Sequence, residues 1–296
     1  MTRETVQANG LEFSVLTEGD PEAPMLLMLH GFPEWSGAWE EMMERLKDRY
    51  FCVAPDQRGY GDSAKPAETA DYAAGKLVAD ALGVLDHYRP GKAIHALIGH
   101  DWGASVAYAA AIRAPERIER LVICNGVHPG PFQKALAAGG AQTEASQYIR
   151  FLREPDAHEK LAQGDFEGLM RMLRAKMDLS WMDADRVERY KAEWRKPGAI
   201  KGMVDWYRAT PLAVPPSGQR IPEAELPPMP ADALRIRMPH LLIWGMQDGA
   251  LLPESREGLE AFCDDLTVKE IPDADHWLIH QKPDEVAGMI RAFLER

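Results

Sequence analysis

Gly99-His100-Asp101-Trp102-Gly103 stands between an apolar run, Ile94 to Ile98, and an alanine-rich stretch, Ala104 to Ala111. Five residues that are apolar except for His95 read as a buried strand, and the alanines read as a helix. Asp101 therefore falls on a sharp strand-to-helix turn. Glycines two positions to either side let the backbone close that turn, and the helix behind it offers free N–H groups and the positive end of its dipole. This is the geometry that presents a nucleophile, with an aspartate in the place of the nucleophile. The plainer alternative makes Asp101 a side-chain cap for the helix.

Working outward, short apolar runs recur at Met25 to Leu29, Phe51 to Ala54, Leu121 to Cys124 and Leu241 to Trp244. Such runs are expected of strands covered on both faces. Segments near 36–48, 70–88, 103–114, 254–263 and 283–295 carry helical spacing, so the chain alternates strand and helix and predicts a mainly parallel α/β sheet. Ahead of it, Thr5 to Leu16 reads as a hairpin turning at Asn9-Gly10. Between about Pro129 and Pro230 the alternation stops. Helices are expected there over Gln147 to Ala162, Asp165 to Lys176 and Asp183 to Trp194. Prolines at 211, 215, 216, 222, 227, 228 and 230 then predict an extended connector. The expected organisation is a core over 1–129 and 233–296 with a helical cap inserted over 130–232.

Two further loops supply partners for Asp101. Asp248 lies four residues beyond the strand ending at Trp244, and His276 follows the next strand, giving the order nucleophile, acid, base. In that arrangement the carboxylate fixes the imidazole tautomer and the imidazole activates water or a nucleophile. His30-Gly31-Phe32-Pro33 closes the first long apolar strand, and the N–H groups of Phe32 and Trp102 are candidate oxyanion donors. His95, His100, His128, His240 and His280 show no comparable partners in the sequence and are assigned structural roles.

Composition narrows the classes. With 34 Lys+Arg against 46 Asp+Glu the net charge is −12, which repels phosphate backbones and anionic lipid surfaces. No nucleic-acid partner is expected. The longest apolar runs fall far short of the roughly 20 residues of a membrane span. The three cysteines, Cys52, Cys124 and Cys263, are scattered, with neither metal-site nor disulfide spacing, and no metal or organic cofactor is expected. The polar start, Met1 to Thr5, lacks the apolar stretch of a secretory signal, which points to the cytoplasm. A homodimer is left open.

Together these motifs resemble the α/β-hydrolase superfamily over nearly the whole chain, and within it the epoxide hydrolases. The resemblance rests on HGFP at 30–33, the run Asp56-Gln57-Arg58-Gly59-Tyr60-Gly61-Asp62-Ser63, GHDWG at 99–103, and the late Asp248 and His276. It implies an α/β-hydrolase fold with a helical cap and an aspartate nucleophile. Haloalkane dehalogenases share the aspartate followed by tryptophan, but usually carry a halide-binding Asn where this chain has Phe32. Asp205-Trp206-Tyr207-Arg208-Ala209 and Tyr148-Ile149-Arg150-Phe151-Leu152-Arg153-Glu154-Pro155 resemble the segments that carry the family's two ring-opening tyrosines, here Tyr207 and Tyr148. The resemblance thus implies a lipophilic epoxide opened to a vicinal diol through an ester on Asp101. Phe32, Trp35, Trp102, Phe151 and Trp206 would line an apolar substrate pocket. Dehalogenation through the same aspartate is the nearer alternative, and a non-catalytic binder of hydrophobic ligands the more distant one. Asp275 departs from the small residue, often Gly, that family members carry before the histidine.

Overall fold

The computed structural model describes residues 1–296. Its strands are β1 (Thr2–Ala8), β2 (Leu11–Glu18), β3 (Met25–Leu29), β4 (Phe51–Pro55), β5 (Ala96–His100), β6 (Leu121–Cys124), β7 (His240–Gly245) and β8 (Leu266–Ile271). They form one sheet in the order β1-β2-β4-β3-β5-β6-β7-β8. The β1/β2 hairpin pairs antiparallel to the edge of β4, and every pairing from β4 to β8 is parallel. The chain adopts the α/β-hydrolase fold.

The apolar runs are continuous because both faces of the sheet are covered. Met25, Leu27 and Leu29 of β3 point into one core, while Leu26 and Met28 point into the other. The second core is closed by α1 (Glu40–Leu46) and α10 (Pro283–Leu294), through Met42, Met43, Leu46, Ile290 and Leu294. The first is closed by α2 (Ala74–Tyr88) and α3 (Trp102–Arg113), through Leu77, Val84, Val106 and Tyr108. Edge strand β8 exposes Val268 beside Lys269 and Glu270, whose charges discourage edge-to-edge pairing.

Six helices lie between β6 and β7. They are α4 (Pro129–Ala137), α5 (Ala141–Ala145), α6 (Gln147–Leu152), α7 (Ala157–Arg174), α8 (Ala184–Trp194) and α9 (Ala199–Ala209). Their apolar faces, including Leu161, Leu169, Trp194, Met203 and Tyr207, join the same core as Leu29 and Phe32. No helix of the chain is long and apolar enough to cross a membrane.

Several local expectations are corrected. The strand before the elbow runs two residues later than Ile94 to Ile98, so His100 is its last residue and Asp101 follows without a linker. Residues 254–263 form no α-helix. Pro253 starts one short turn, and Gly258, at φ +82°, separates it from a second over Leu259–Phe262. Helical spacing there is overridden by a left-handed backbone position. The helix expected over Gln147 to Ala162 ends at Leu152, before Pro155, and α7 then breaks at Gln163 to Phe166, where Gly164, Asp165 and Phe166 have positive φ. Helices α4, α5 and α9 add to those that the spacing predicts.

Candidate active site

The elbow is built by close backbone approach. Asp101 has φ +51° and ψ −119°, a sparsely populated conformation for a residue with a Cβ. A side chain at Gly103 would run into the Leu29 carbonyl oxygen, and one at Gly31 would run into the Asp101 side chain itself. Asp101 makes no capping hydrogen bond to α3, so its carboxylate is free for other partners. The Phe32 N–H donates to its Oδ1 at 2.7 Å, and His276 Nε2 lies 3.5 Å from its Oδ2. The two oxygens are thus differentiated: one is held by a backbone donor, the other faces the imidazole. The Trp102 N–H, at the start of α3, makes no hydrogen bond to this carboxylate; only the Phe32 half of the expected donor pair is engaged.

Behind His276 stands Asp248, whose Oδ2 accepts from Nδ1 at 2.7 Å. Asp248 also accepts from the Asn125 side-chain amide at 2.7 Å, from Ala250 N–H at 2.8 Å and from Leu251 N–H at 2.9 Å. Burial alone would push this carboxyl up, but the His276 charge and these donors outweigh it and hold it below the ordinary carboxylate range. For His276, burial disfavours the charged ring, yet the facing Asp248 and Asp101 carboxylates overcome it and lift the imidazole well above its ordinary value. Asn125 escaped the sequence reading. It follows β6 with φ +33°, and its Oδ1 accepts from Gly245 N–H at 2.6 Å, tying the Asp248 loop to the sheet. An Asn directly after an apolar strand was its only signal.

Asp101, His276, Tyr148, Tyr207 and Phe32 line one cavity, together with Met172, Leu173, Lys176, Met177 and Ala250. A second cavity meets the same Asp101, Tyr148 and Tyr207 and is lined further by Trp102, Val127, Phe132 and Leu251. The tyrosine rings stand edge to face 6.0 Å apart, and Tyr207 is braced by Phe32 at 5.3 Å and Trp102 at 5.0 Å. Burial first, then the Asp101 and Asp248 charges, raise the Tyr148 phenol, so it stays neutral. Tyr207 is raised by burial, Tyr148 and Asp101, with the Trp102 indole pulling the other way.

Three expected lining residues lie elsewhere. Trp35 packs edge-on against Tyr190 of α8 beneath the Arg189 guanidinium, and it borders a different, polar pocket. Trp206 neighbours Tyr207 on α9, and successive helical residues diverge by about 100°. Its indole donates to the Arg58 carbonyl at 2.9 Å, away from the cavity. Phe151 is half-buried under the Lys160 ammonium.

Residues 24–283 match the family model described as the alpha/beta hydrolase fold. An AB hydrolase superfamily protein of Bacillus subtilis (strain 168) is 32% identical over 98% of this chain and 96% of its own. The chain belongs to the α/β-hydrolase family. Epoxide hydrolase 4 of Mus musculus is 29% identical over 98% of this chain and 78% of its own length. A solved structure described under novel epoxide hydrolases in metagenomes from hot environments is 36% identical, with TM-score 0.90 and 99% of each chain covered. An inhibitor complex of Bacillus megaterium epoxide hydrolase superposes with TM-score 0.87 at 27% identity, covering 99% and 100%.

In this hydrolase a buried cluster that sequence reading missed lies directly behind the triad. Glu34 accepts from Tyr190 OH at 2.6 Å, pairs with His280 Nε2 at 2.7 Å and lies 3.2 Å from His100 Nδ1. The other His100 nitrogen, Nε2, lies 2.8 Å from the His276 carbonyl oxygen. Burial opposes the Glu34 charge, but His280 and His100 hold its carboxyl well below the usual range. His100 and His280, read from sequence as lacking partners, thus share one. A Glu after HGFP was the only hint, and nothing in the sequence places it against residues 100, 190 and 280.

Proposed function

We propose that this protein is an epoxide hydrolase converting a lipophilic epoxide and water to a vicinal diol. The observation that carries the reading is the pairing of a nucleophilic carboxylate with two neutral tyrosines, Tyr207 buried and Tyr148 half-buried, on one cavity wall. An epoxide's leaving group is a tethered alkoxide, which needs a proton; halide needs none. The names of the relatives above support the same activity. The two apolar cavities that meet at Asp101 suit a substrate with carbon substituents.

Asp101 Oδ2 attacks a ring carbon, the C–O bond breaks, and Tyr148 or Tyr207 gives its proton to the departing oxygen. A hydroxyalkyl ester on Asp101 results. Its formation removes the Asp101 charge that helped hold a proton on His276, so the imidazole is released toward its neutral, basic form. His276, oriented by Asp248, then takes a proton from water, whose oxygen attacks the ester carbonyl carbon. Negative charge builds on Oδ1, where the Phe32 N–H already points, and Trp102 N–H is the second donor at the helix terminus. The tetrahedral intermediate collapses by breaking its bond to the diol oxygen, which takes the imidazolium proton, and the proton that the attacking water leaves on the carboxyl passes through solvent to the tyrosinate. Asp101 is restored.

The test is turnover of a styrene-oxide-type epoxide beside a chloroalkane, with intact-mass analysis of His276→Ala. Diol from the native protein and a mass gain equal to one epoxide on the variant are expected. Halide without diol would replace the reading with dehalogenation, and neither product would leave the fold alone.

A further inference from the structure

Asp275 is the charged residue where the family pattern has a small one, and the mechanism above gives it no task. It is 4% exposed, immediately before His276. Its Oδ1 accepts the N–H of Trp277 at 2.8 Å, which bends the catalytic-histidine loop. Its Oδ2 accepts the N–H of Asp178 at 2.6 Å, and Asp178 belongs to the helical insertion, just beyond α7. Gln281 completes the arrangement. Its Oε1 accepts the Asp275 N–H at 2.9 Å, and its Nε2 donates to the Asp178 carbonyl at 3.3 Å. Both backbone polar groups of Asp178 are therefore gripped from the core.

Neighbouring contacts point the same way. A side chain at Gly249, next to Asp248, would run into the Lys176 carbonyl oxygen, so the insertion backbone also lies directly on the catalytic-acid loop. Three residues past Asp178, Trp181 stacks on His280 at 4.1 Å and packs 5.6 Å from Trp277. The chain held this way is the cavity wall itself, Met172, Leu173, Lys176 and Met177. Burial raises the Asp275 carboxyl despite its two backbone donors, so stability alone gives little reason for a carboxylate here.

We propose that Asp275 and Gln281 form a latch fastening the Lys176–Asp178 segment to the catalytic-histidine loop. Asp275 is thereby a positioning residue that fixes the cavity wall against the triad. It touches no reacting atom, and its effect falls on substrate binding and ring opening, leaving ester hydrolysis by the His276–Asp248 pair in place. The kinetic half of this inference rests on the epoxide-hydrolase reading; the latch itself does not.

The experiment compares Asp275→Ala, Asp275→Asn, Gln281→Ala and the Asp275→Ala/Gln281→Ala double variant. Hydrogen exchange at the Asp178 amide and tryptic cleavage after Lys176 read the latch without any substrate. Both are expected to rise roughly tenfold in Asp275→Ala, the scale of losing one charge-assisted hydrogen bond, and roughly fivefold in Gln281→Ala, which loses neutral ones. The double variant should add less than the product of the two, because one interaction is removed twice. With styrene oxide, KM is expected to rise roughly five- to tenfold and ring opening to slow similarly, with ester hydrolysis within about twofold. Unchanged Asp178 exchange in Gln281→Ala and Asp275→Asn overturns the latch, whether or not Asp275→Ala folds. Slower ester hydrolysis with KM and exchange unchanged also overturns it, assigning Asp275 to the imidazole's charge. Absence of any epoxide turnover removes the epoxide reading and leaves exchange and proteolysis to decide the latch.

Discussion

Replacing Tyr148 and Tyr207 by phenylalanine removes two hydroxyls and nothing else from the cavity that holds Asp101. In the resting protein their loss is nearly silent. Neither phenol is committed to a protein acceptor, so each substitution should leave the melting temperature within about 2 °C, the scale of a few tenths of a kcal/mol in a chain of this size. In the ring-opening transition state the same hydroxyls face developing alkoxide charge. A hydrogen bond to a charged group contributes about 1.5–3 kcal/mol. At 1.36 kcal/mol per decade, each single variant should slow ester formation roughly 10- to 150-fold. The double variant forfeits general acid catalysis altogether and should lose about 10²–10⁴ or more. The assay is a single turnover quenched at intervals, with the Asp101 ester followed by intact mass in a His276→Ala background. Ester hydrolysis, measured by difference in the native background, should change little in the single variants. Ring opening within threefold of the native rate in a folded double variant would refute the reasoning and leave the two tyrosines as packing residues.

Three further outcomes follow from the same geometry. A single turnover in ¹⁸O water with excess protein should yield unlabelled diol and place the label on Asp101, because the diol's new oxygen comes from Oδ2; label in the first-turnover diol excludes the ester. The His276 ring, held above its ordinary value by Asp248 and Asp101 together, should titrate by NMR at higher pH in the free protein than the ester-hydrolysis rate does, since the ester has lost one of those charges. Coincident midpoints would separate Asp101 from the shift. Glu34→Ala should cost about 3–5 kcal/mol by leaving the buried His280, His100 and Tyr190 groups without their acceptor. Because the Glu34 carboxyl is depressed, its contribution is present above the unfolded value of about 4.3 and is lost as pH falls below it. Urea unfolding should therefore show the native-to-variant gap narrowing from pH 5 downward, and a pH-independent gap argues against the charge.

Asp101 and Asp248 were legible because each sits just past an apolar strand, and His276 because it comes after them in the order nucleophile, acid, base; strand ends on a parallel sheet share one edge. The sheet itself followed from uninterrupted apolar runs. Glu34 and Asn125 were not legible, because their roles come from partners 66 to 246 residues away in the chain. Trp35, Phe151 and Trp206 failed for another reason. Aromatic identity says that a residue is buried, not which of two surfaces buries it, and on α9 the cavity takes Tyr207 while Trp206 turns to Arg58. The segment 254–263 shows the limit of periodicity, since its apolar spacing is compatible with a helix but Gly258 sits in a left-handed turn.

The strain at Asp101 and the charges around it serve one another. A positive-φ aspartate on a turn too tight for any Cβ at Gly103 cannot relax toward the helix it precedes, so its carboxylate stays where Phe32 N–H can hold one oxygen. That fixed oxygen is the one that must carry the tetrahedral charge, and its donor is in place before the reaction begins. The other oxygen is kept 3.5 Å from His276, a distance that lets the imidazole answer the carboxylate's charge while leaving the oxygen free to bond carbon. When it does so, the charge disappears and the same imidazole is turned toward water. The order of the two chemical steps is thereby written into one electrostatic pair, with Asp248 and Asn125 holding the ring in place throughout.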